Sequence, residues 1–214
     1  MNEEQLIRFS ELGVATVYEA SGREGLVDAP LIQIIPQSRA AGPARTVLCG
    51  QDDNLMVHAI IEQIQPAEVL VLSMPEPAPV ALIGELLATQ VKVRGAAGIL
   101  VDAAVRDVNE LVGLGLPIWT RFIRVRGTTK TKIGELNTAV TVGGAQISTG
   151  DIMVLDGDGA VCVKRERAEE VLKASEERLT KENDLRKKLL VGQISYDLHG
   201  LRDYVERNKN DRSK

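Results

Sequence analysis

Aromatic, cysteine and histidine residues are scarce in this chain of 214 residues, and each scarcity excludes something. Only 3% of the residues are aromatic, so a core must be built mainly from Val, Leu, Ile and Ala side chains. The two histidines and two cysteines stand at no ligand spacing, which argues against a zinc cage. Cys49 and Cys162 lie in apolar contexts and are interpreted as buried small side chains in a reducing compartment.

Long apolar runs and an excess of positive charge are also absent. No run approaches the about 18 apolar residues that suggest a membrane span, and the acidic start MNEEQLIRF lacks the apolar centre of a secretion signal. The net charge of -4 argues against non-specific binding to nucleic acid, which needs a basic surface. No glycine-rich nucleotide-binding motif occurs either. We therefore expect a cytoplasmic protein that binds neither nucleic acid nor membrane.

The order of apolar segments predicts one α/β core at residues 1–164 and a helical extension at residues 165–214, which either belongs to the same domain or contacts another subunit. Residues 165–191 are rich in charge, contain neither Pro nor Gly and are followed by Gly192, so they predict one long helix. The charged tail at residues 206–214 is expected to fray. Other predicted elements are helices at 3–11, 16–21 and 54–63, and strands at 42–49, 69–73, 139–142, 145–147, 152–155 and 160–163.

The segment from Gly84 to Asp107 is the most informative part of the sequence. Gly84-Glu85-Leu86-Leu87 is followed by Arg106-Asp107, with twenty residues between Glu85 and Arg106. The intervening pattern predicts a helix at 85–94 stopped by Gly95, a buried parallel strand at 97–103, and a helix at 108–114 stopped by Gly115. Ligands of open α/β sheets bind beyond the carboxyl ends of the strands, where helix N-termini converge. We therefore expect both junctions to lie at one site.

The residue types at these junctions indicate a site for a divalent cation and a small keto acid. The carboxylates of Glu85 and Asp107 are hard oxygen donors that suit Mg²⁺ or Mn²⁺. The N–H groups of Leu86 and Leu87, at the positive end of the helix dipole, could receive a carboxylate. Arg106 could bind an enolate oxygen or the substrate carboxylate. Together these groups would stabilise an enolate.

The same residues also have an ordinary structural interpretation. Asp caps helices well and acids are favoured in a first helical turn, so Glu85 and Asp107 could serve only their own helices. Asp102, at the end of the predicted strand, could orient Arg106 or cap the following loop. His58 falls on the apolar face of its predicted helix and is interpreted as a packing residue rather than a catalyst.

The run GELLATQVKVRGAAGILVDAAVRDVNELVGLGLPIW resembles the class II pyruvate aldolases of the 4-hydroxy-4-methyl-2-oxoglutarate and 4-carboxy-4-hydroxy-2-oxoadipate type, which share a superfamily with the ribonuclease activity regulator A proteins. Their pattern of an acid, twenty residues and Arg-Asp is matched in full, although the first acid is an aspartate in some members. Further matches are NLMVHAII, which contains Asn54 and His58, QPAEVLVL, and GDIMVLDGDGAVCVKRERAEEVL. The resemblance extends from about residue 12 to residue 192.

The resemblance implies a swivelling β/β/α-type core with a long C-terminal helix, assembled as a homotrimer or homohexamer. It implies that Asp107 is the direct metal ligand and that Glu85 holds metal-bound water. Arg106 would contact the pyruvoyl oxygens, and the loop at Gly84 with the amides of Leu86 and Leu87 would bind the pyruvate carboxylate. It also implies a glutamate contributed by the C-terminal region of a neighbouring subunit.

Glu182 is the candidate for that glutamate. It lies three residues after Leu179 and three before Leu185, within the apolar stripe of the predicted long helix. A carboxylate on a packed face needs a cation, a donor or water as its partner. The alternative is a glutamate at the rim of the stripe that pairs with Arg178 or Arg186 at helical spacing.

The resemblance therefore implies a divalent-metal-dependent aldolase. It would cleave a 4-hydroxy-2-oxo dicarboxylic acid to pyruvate and a second oxo acid, with oxaloacetate decarboxylation as a side activity. One alternative is a regulator that binds and inhibits a ribonuclease without catalysis. Another is a different enzyme on the same enolate site, such as a decarboxylase or a sugar-acid aldolase.

Overall fold

The computed structural model describes residues 1–211. Its helices are α1 (Glu3–Ala20), α2 (Leu55–Ile60), α3 (Glu85–Val93), α4 (Val108–Leu114), α5 (Ala168–Leu190), α6 (Ser195–Leu198) and α7 (Leu201–Asp211), with 3-10 turns at Ile61–Gln63 and Arg165–Arg167. Its strands are β1 (Ile32–Gln33), β2 (Ala40–Leu48), β3 (Val69–Ser73), β4 (Ala81–Ile83), β5 (Gly98–Val105), β6 (Ile118–Ile123), β7 (Glu135–Leu136), β8 (Val140–Val142), β9 (Ala145–Ile147), β10 (Ile152–Asp156) and β11 (Gly159–Val163).

Contacts divide the chain into two compact units, of which the first is Met1–Ser175 and the second begins at Glu176. All of the strands described in residues 1–211 belong to the first unit. The second unit contains the later part of α5 together with α6 and α7. None of the helices described in residues 1–211 is long and apolar enough to cross a membrane.

Nine of the strands described within residues 1–211 form one mixed sheet. The order along the sheet is β1-β6-β5-β3-β2-β10-β11, with β4 paired to the end of β5 and β7 paired to β2. The central strands β2, β3, β5 and β6 run parallel, and α3 and α4 lie in the connections on either side of β5. This arrangement places the carboxyl ends of β4 and β5 beside the starts of α3 and α4.

The central strands are buried on both faces, as their nearly continuous apolar sequences predict. Successive side chains of β3 point to opposite sides, so Leu70 and Leu72 enter one core while Val69 and Val71 enter another. The first core packs against α2, α3 and α4. The second contains Trp119, whose Nε1 donates a hydrogen bond to the Asp156 carbonyl at 2.8 Å.

The α/β class and the long C-terminal helix are confirmed, as are most of the predicted elements. Strand β3 has the predicted bounds, and the predicted stops Gly95 and Gly115 lie just after α3 and α4, where both adopt positive φ angles. Among the strands that were not predicted, β1, β4 and β7 have only two or three residues each, too few to show an alternating pattern.

The two N-terminal helices predicted from sequence form one element, α1, kinked at Gly13 (φ 79°, ψ 167°). The kink frees the Val14 N–H group to donate to the Asp156 carboxylate at 2.9 Å. A Cβ at Gly13 would lie 2.7 Å from that carboxylate, which explains the glycine.

The tail departs from the predicted fraying, because α7 remains helical to Asp211. The last part of the predicted tail, residues 212–214, lies outside the described residues.

Candidate functional site

A cleft of about 300 Å³ lies where β4 and β5 end and α3 and α4 begin. Its walls come from the start of α2, the β4–α3 junction, the β5–α4 junction and the turn at residues 127–130 that follows β6. Gly84, Leu86, Leu87, Arg106 and Asp107 all line it, so the structure brings together five of the seven predicted site residues. The other two are Glu85 and Glu182.

Asp107 does not behave as an ordinary helix cap. It precedes α4 with a left-handed backbone (φ 61°, ψ 44°), and its side chain makes no hydrogen bond to its own helix. Instead Oδ2 accepts a hydrogen bond from the N–H group of Glu85 at 3.1 Å. A left-handed backbone costs a non-glycine residue about 1 kcal/mol, and aspartate and asparagine tolerate it best. The strain turns the carboxylate away from α4 and toward the start of α3.

Arg106 lies beside this carboxylate, with Nε 3.6 Å from Oδ2 of Asp107. The side chains of Arg106 and Asp107 are 49% and 41% exposed, so both remain accessible from the cleft. A guanidinium and a carboxylate next to each other can bind an anion and a cation at adjacent positions.

Gly84 is required by this close arrangement. Its backbone is extended, so the conformation itself would suit any residue. A Cβ at this position, however, would lie 2.4 Å from Oδ2 of Asp107 and 3.2 Å from Nε of Arg106. The missing side chain therefore lets the β4–α3 junction pack directly against the Arg-Asp pair.

The start of α3 offers backbone donors to the same cleft. The first N–H groups of any helix have no acceptor within the helix, which at this end includes those of Leu86 and Leu87. The side chain of Leu86 is 77% exposed, whereas that of Leu87 is buried in the first core. The exposed first turn leaves room for an anion, which the helix dipole would favour.

Glu85 does not line the cleft, although its backbone is part of the site. Its carboxylate accepts a hydrogen bond from the Thr89 hydroxyl at 2.9 Å, one turn along α3. Its role in holding metal-bound water stays a prediction.

Glu182 belongs to the second unit, on α5. Its carboxylate forms an ion pair with Arg178 at 2.8 Å, which is one of the two pairings considered as the alternative to a catalytic role. Its contribution to a site on a neighbouring subunit stays a prediction.

Two further sequence interpretations need correction. Asp102 pairs with Arg121 on β6 and not with Arg106, because β5 and β6 are neighbours in the sheet. Burial raises the pKa of Asp102 despite the hydrogen bond and the charge of Arg121. His58 is not a packing residue: it is exposed and lines the cleft.

Sequence reasoning missed the turn after β6, which supplies Gly127, Thr128 and Lys130 to the cleft. The turn is fixed by Asp53, a fully buried residue just before α2. Its Oδ2 accepts hydrogen bonds from the Thr129 hydroxyl at 2.6 Å and from the N–H groups of Thr131 and Lys132 at 2.7 and 3.1 Å. The only signal in the sequence was a basic segment directly after a buried strand, where ligand-binding loops of α/β sheets are found.

Asn54 completes the wall at the start of α2. Its Nδ2 donates a hydrogen bond to the Leu82 carbonyl at 3.1 Å, which fixes the amide orientation. Its buried Oδ1 has no hydrogen-bond partner among residues 1–211. The resemblance had drawn attention to this residue without giving it a role.

The donors of the cleft suit a hard divalent cation better than zinc. No group of three or more His, Cys, Asp or Glu side chains forms a metal cage within the described residues. Mg²⁺ is often held by one or two carboxylates and otherwise by water and substrate oxygens, an arrangement that Asp107 can serve. Cys49 and Cys162 are buried, and burial raises the pKa of each thiol to about 12, so neither is a ready thiolate ligand.

Comparison with known proteins identifies the family. The model of a family described as RraA-like, Aldolase/RraA, matches residues 14–162. The chain belongs to the Aldolase/RraA family. One relative in Halalkalibacterium halodurans, named "Putative 4-hydroxy-4-methyl-2-oxoglutarate aldolase", is 30% identical over 169 residues, which cover 79% of this chain and 78% of the relative.

Solved structures of the Aldolase/RraA family share the fold. RraAS2 of Streptomyces coelicolor, described as an unusual member of the RNase ES inhibitor RraA protein family, matches with a TM-score of 0.76 and 26% identity, covering 87% of this chain and 97% of that chain. The RNA-processing inhibitor RraA of Thermus thermophilis matches with a TM-score of 0.59 and 26% identity, covering 65% and 82%. The expected fold is thus confirmed, while the names of the relatives include both an aldolase and inhibitors.

Proposed function

We propose that this chain is a divalent-metal-dependent aldolase that cleaves a 4-hydroxy-2-oxo dicarboxylic acid to pyruvate and a second oxo acid. The observation that carries the proposal is the Arg106–Asp107 pair, 3.6 Å apart, in one cleft with the first-turn N–H groups of α3. To hold a 2-oxo acid and stabilise its enolate, a site needs a carboxylate for a cation, a guanidinium and unpaired N–H groups.

In this proposal each group of the cleft has a separate role in binding or catalysis. The N–H groups of Leu86 and Leu87 bind the 1-carboxylate of the substrate, and Arg106 donates to the 2-oxo oxygen. A Mg²⁺ or Mn²⁺ ion bound to Asp107 would supply Lewis-acid stabilisation of negative charge. A single well-placed donor of this kind contributes about 3 kcal/mol to catalysis, so Arg106 is a main catalytic group.

The bond changes follow from that binding mode. The 4-hydroxyl group gives its proton to a water molecule, the C4 carbonyl forms, and the C3–C4 bond breaks. The electron pair of that bond becomes the enolate of pyruvate, whose oxygen Arg106 stabilises, and water then protonates C3. Oxaloacetate would give the same enolate by losing its C4 carboxylate as CO₂, so we also propose oxaloacetate decarboxylation.

The substitution Asp107→Asn tests the proposal. Asparagine tolerates the left-handed backbone and can still accept the Glu85 N–H bond, but it removes the negative charge that would hold a cation. We expect pyruvate release from 4-hydroxy-2-oxo acids, measured with Mg²⁺ or Mn²⁺, to fall at least about 100-fold. The melting temperature should change little, and a chelator should abolish wild-type turnover. Full activity of Asp107→Asn would contradict the assignment.

A second candidate is inhibition of a ribonuclease, which is favoured by the fold shared with RraAS2 at a TM-score of 0.76. A regulator needs a surface that binds the ribonuclease, and it does not need an exposed catalytic pair. The test is whether the wild-type protein inhibits cleavage of RNA by a ribonuclease. Equal inhibition by the wild type and by Asp107→Asn, without pyruvate release from the wild type, would favour this function over the aldolase.

A further inference from the structure

We propose that the later half of α5 packs along α3 of a second copy of the chain, with Leu189 against Val93 of that copy and Glu182 at the mouth of its cleft. The role of Glu182 rests on the proposed aldolase function. The inference adds the surface that would bring Glu182 to a neighbouring cleft. It depends on two exposed apolar faces, one on each helix.

The later half of α5 is an amphipathic helix without a cover. The buried residues of α5 all lie near its start, and they are Ala168, Val171, Leu172 and Ser175. The apolar stripe continues through Leu185 and Leu189, yet none of residues 176–208, whose exposure the structure describes, is buried. Most of the stability of a helix in a protein comes from packing of its apolar face. The later half of α5 therefore needs a cover that the described residues of its own chain do not supply.

Helix α3 has an exposed apolar face that starts at the cleft. The side chains of Leu86 and Val93 are 77% and 80% exposed. Seven residues make nearly two helical turns, so both side chains lie on one face of α3, about 10.5 Å apart along its axis. Leu86 lines the cleft, so this face leads away from the cleft along the outside of α3.

The stripe of α5 has the same spacing as the face of α3. Glu182 and Leu189 are also seven residues apart on one side of their helix, with Leu185 between them. If the two helices lie side by side and run parallel, Glu182 at the level of Leu86 places Leu189 at the level of Val93. One register thus brings a carboxylate to the cleft and covers the apolar side chains of both helices.

The position of Glu182 within the stripe favours a second copy over other apolar covers. A lipid surface or a purely apolar partner would remove this carboxylate from water without giving it a donor or a cation, which is costly. The cleft at the start of α3 offers the guanidinium of Arg106 and the cation proposed on Asp107. A contact from α5 of one copy to α3 of the next joins two different surfaces, and such contacts can close into a ring.

Cysteine cross-linking of the full-length protein tests this register. Val93→Cys combined with Leu189→Cys puts one new thiol on each face, whereas the native Cys49 and Cys162 are buried. Mild oxidation should join separate chains, giving bands of two or more chains on a non-reducing gel that disappear on reduction. Ile7→Cys combined with Leu189→Cys is the matched control. Ile7 is an apolar side chain of α1 that is 54% exposed, and this pair should give no such bands.

A charge exchange adds a test of the contact in solution. Val93→Glu and Leu189→Lys each put a charge into an apolar contact, so each alone should shift the assembly to smaller species in sedimentation velocity. Pyruvate release should fall with it, because Glu182 would leave the neighbouring cleft. The double variant faces the two new charges with each other across the contact and should recover both the assembly and the activity.

The outcomes separate this inference from the proposed function. Absence of joined chains in the Val93–Leu189 cysteine pair, or equal joining in the Ile7 control, would overturn the contact even in a protein that releases pyruvate. Joined chains together with recovery in the charge exchange would establish the contact. The same cross-links in a protein that releases no pyruvate would keep the contact and overturn the aldolase function.

Discussion

At the scale of single residues, Gly84 packs closely against Arg106 and Asp107 in the cleft. Asp107 bonds the first N–H group of α3, and Arg106 lies beside it, only because Gly84 has no side chain. The three residues come from two junctions that are more than twenty residues apart in the chain. Their mutual fit makes the geometry of the pair sensitive to a single added methyl group.

Gly84→Ala is therefore expected to displace the Arg-Asp pair. The new Cβ would meet Oδ2 of Asp107 at 2.4 Å, so the carboxylate or the guanidinium must move. A shift of about 1 Å can cost on the order of 100-fold in rate, and we expect a loss of that size in pyruvate release. Circular dichroism should show an unchanged fold.

Gly113→Ala is the matched control for that substitution. Gly113 is exposed within α4, and an added Cβ would meet nothing within 4 Å. Alanine should stabilise the helix by up to about 1 kcal/mol and leave activity unchanged. Equal activity in Gly84→Ala and Gly113→Ala would show that the close contact does not matter for turnover.

At the scale of elements, Asp53 joins the start of α2 to the turn after β6. One of its oxygens accepts the Leu55 N–H bond at 2.8 Å, and the other accepts the three bonds from the turn. Burial by itself would raise the pKa of Asp53, but these hydrogen bonds together hold the pKa well below its usual range. Folding therefore stabilises the ionised carboxylate of Asp53 relative to its protonated form.

Asp53→Asn should lower the free energy of unfolding by about 2 kcal/mol at pH 7, because an amide cannot accept hydrogen bonds on both sides. The pKa is depressed on folding, so the stabilisation is present at all pH values above the unfolded value of about 3.9. It is lost as the pH falls from that value through the folded pKa. Urea unfolding of both proteins between pH 7 and pH 3 measures this, with a constant difference down to about pH 5 and a shrinking one below pH 4. A difference that grows on acidification would contradict the role of Asp53.

At the scale of the whole molecule, we propose that a carboxylate from a neighbouring subunit completes each cleft. Glu182 is the proposed donor, on α5 in the second unit, and the proposed assembly is a homotrimer or homohexamer. Within the chain its carboxylate has Arg178 as a partner, so it would have to exchange that ion pair for the site. An ion pair of this exposure is worth only about 0–1 kcal/mol, which makes such an exchange feasible.

Complementation between subunits tests this proposal. Glu182→Gln and Asp107→Asn should each be inactive alone, because each removes a carboxylate from every cleft. Mixed assemblies, formed by co-expression, should recover part of the activity, since some clefts combine an intact Asp107 with an intact Glu182 from the neighbour. Glu177→Gln, an exposed change on the same helix, should be fully active. Inactive mixed assemblies, or an active Glu182→Gln, would argue against a shared site.

The sequence by itself determined the local parts of the fold and the residue types at two junctions of the cleft. Helix α3 with its stop at Gly95, α4 with its stop at Gly115 and the buried strand between them depend on neighbours a few residues away, so their patterns are visible in the chain. The resemblance carried by Gly84 and Arg106-Asp107 indicated the family for a similar reason, because the whole motif lies within one short segment of the sequence.

Only the tertiary structure decided which distant residues complete the site. The bonds from Asp53 to the turn join residues 76 to 79 positions apart, and nothing local predicts them. The pairing of Asp102 with Arg121 follows from the adjacency of β5 and β6, and the exposure of His58 follows from where α2 meets the cleft. Sequence patterns record periodicity and capping within an element, whereas the partner of a side chain across the sheet depends on strand order and packing.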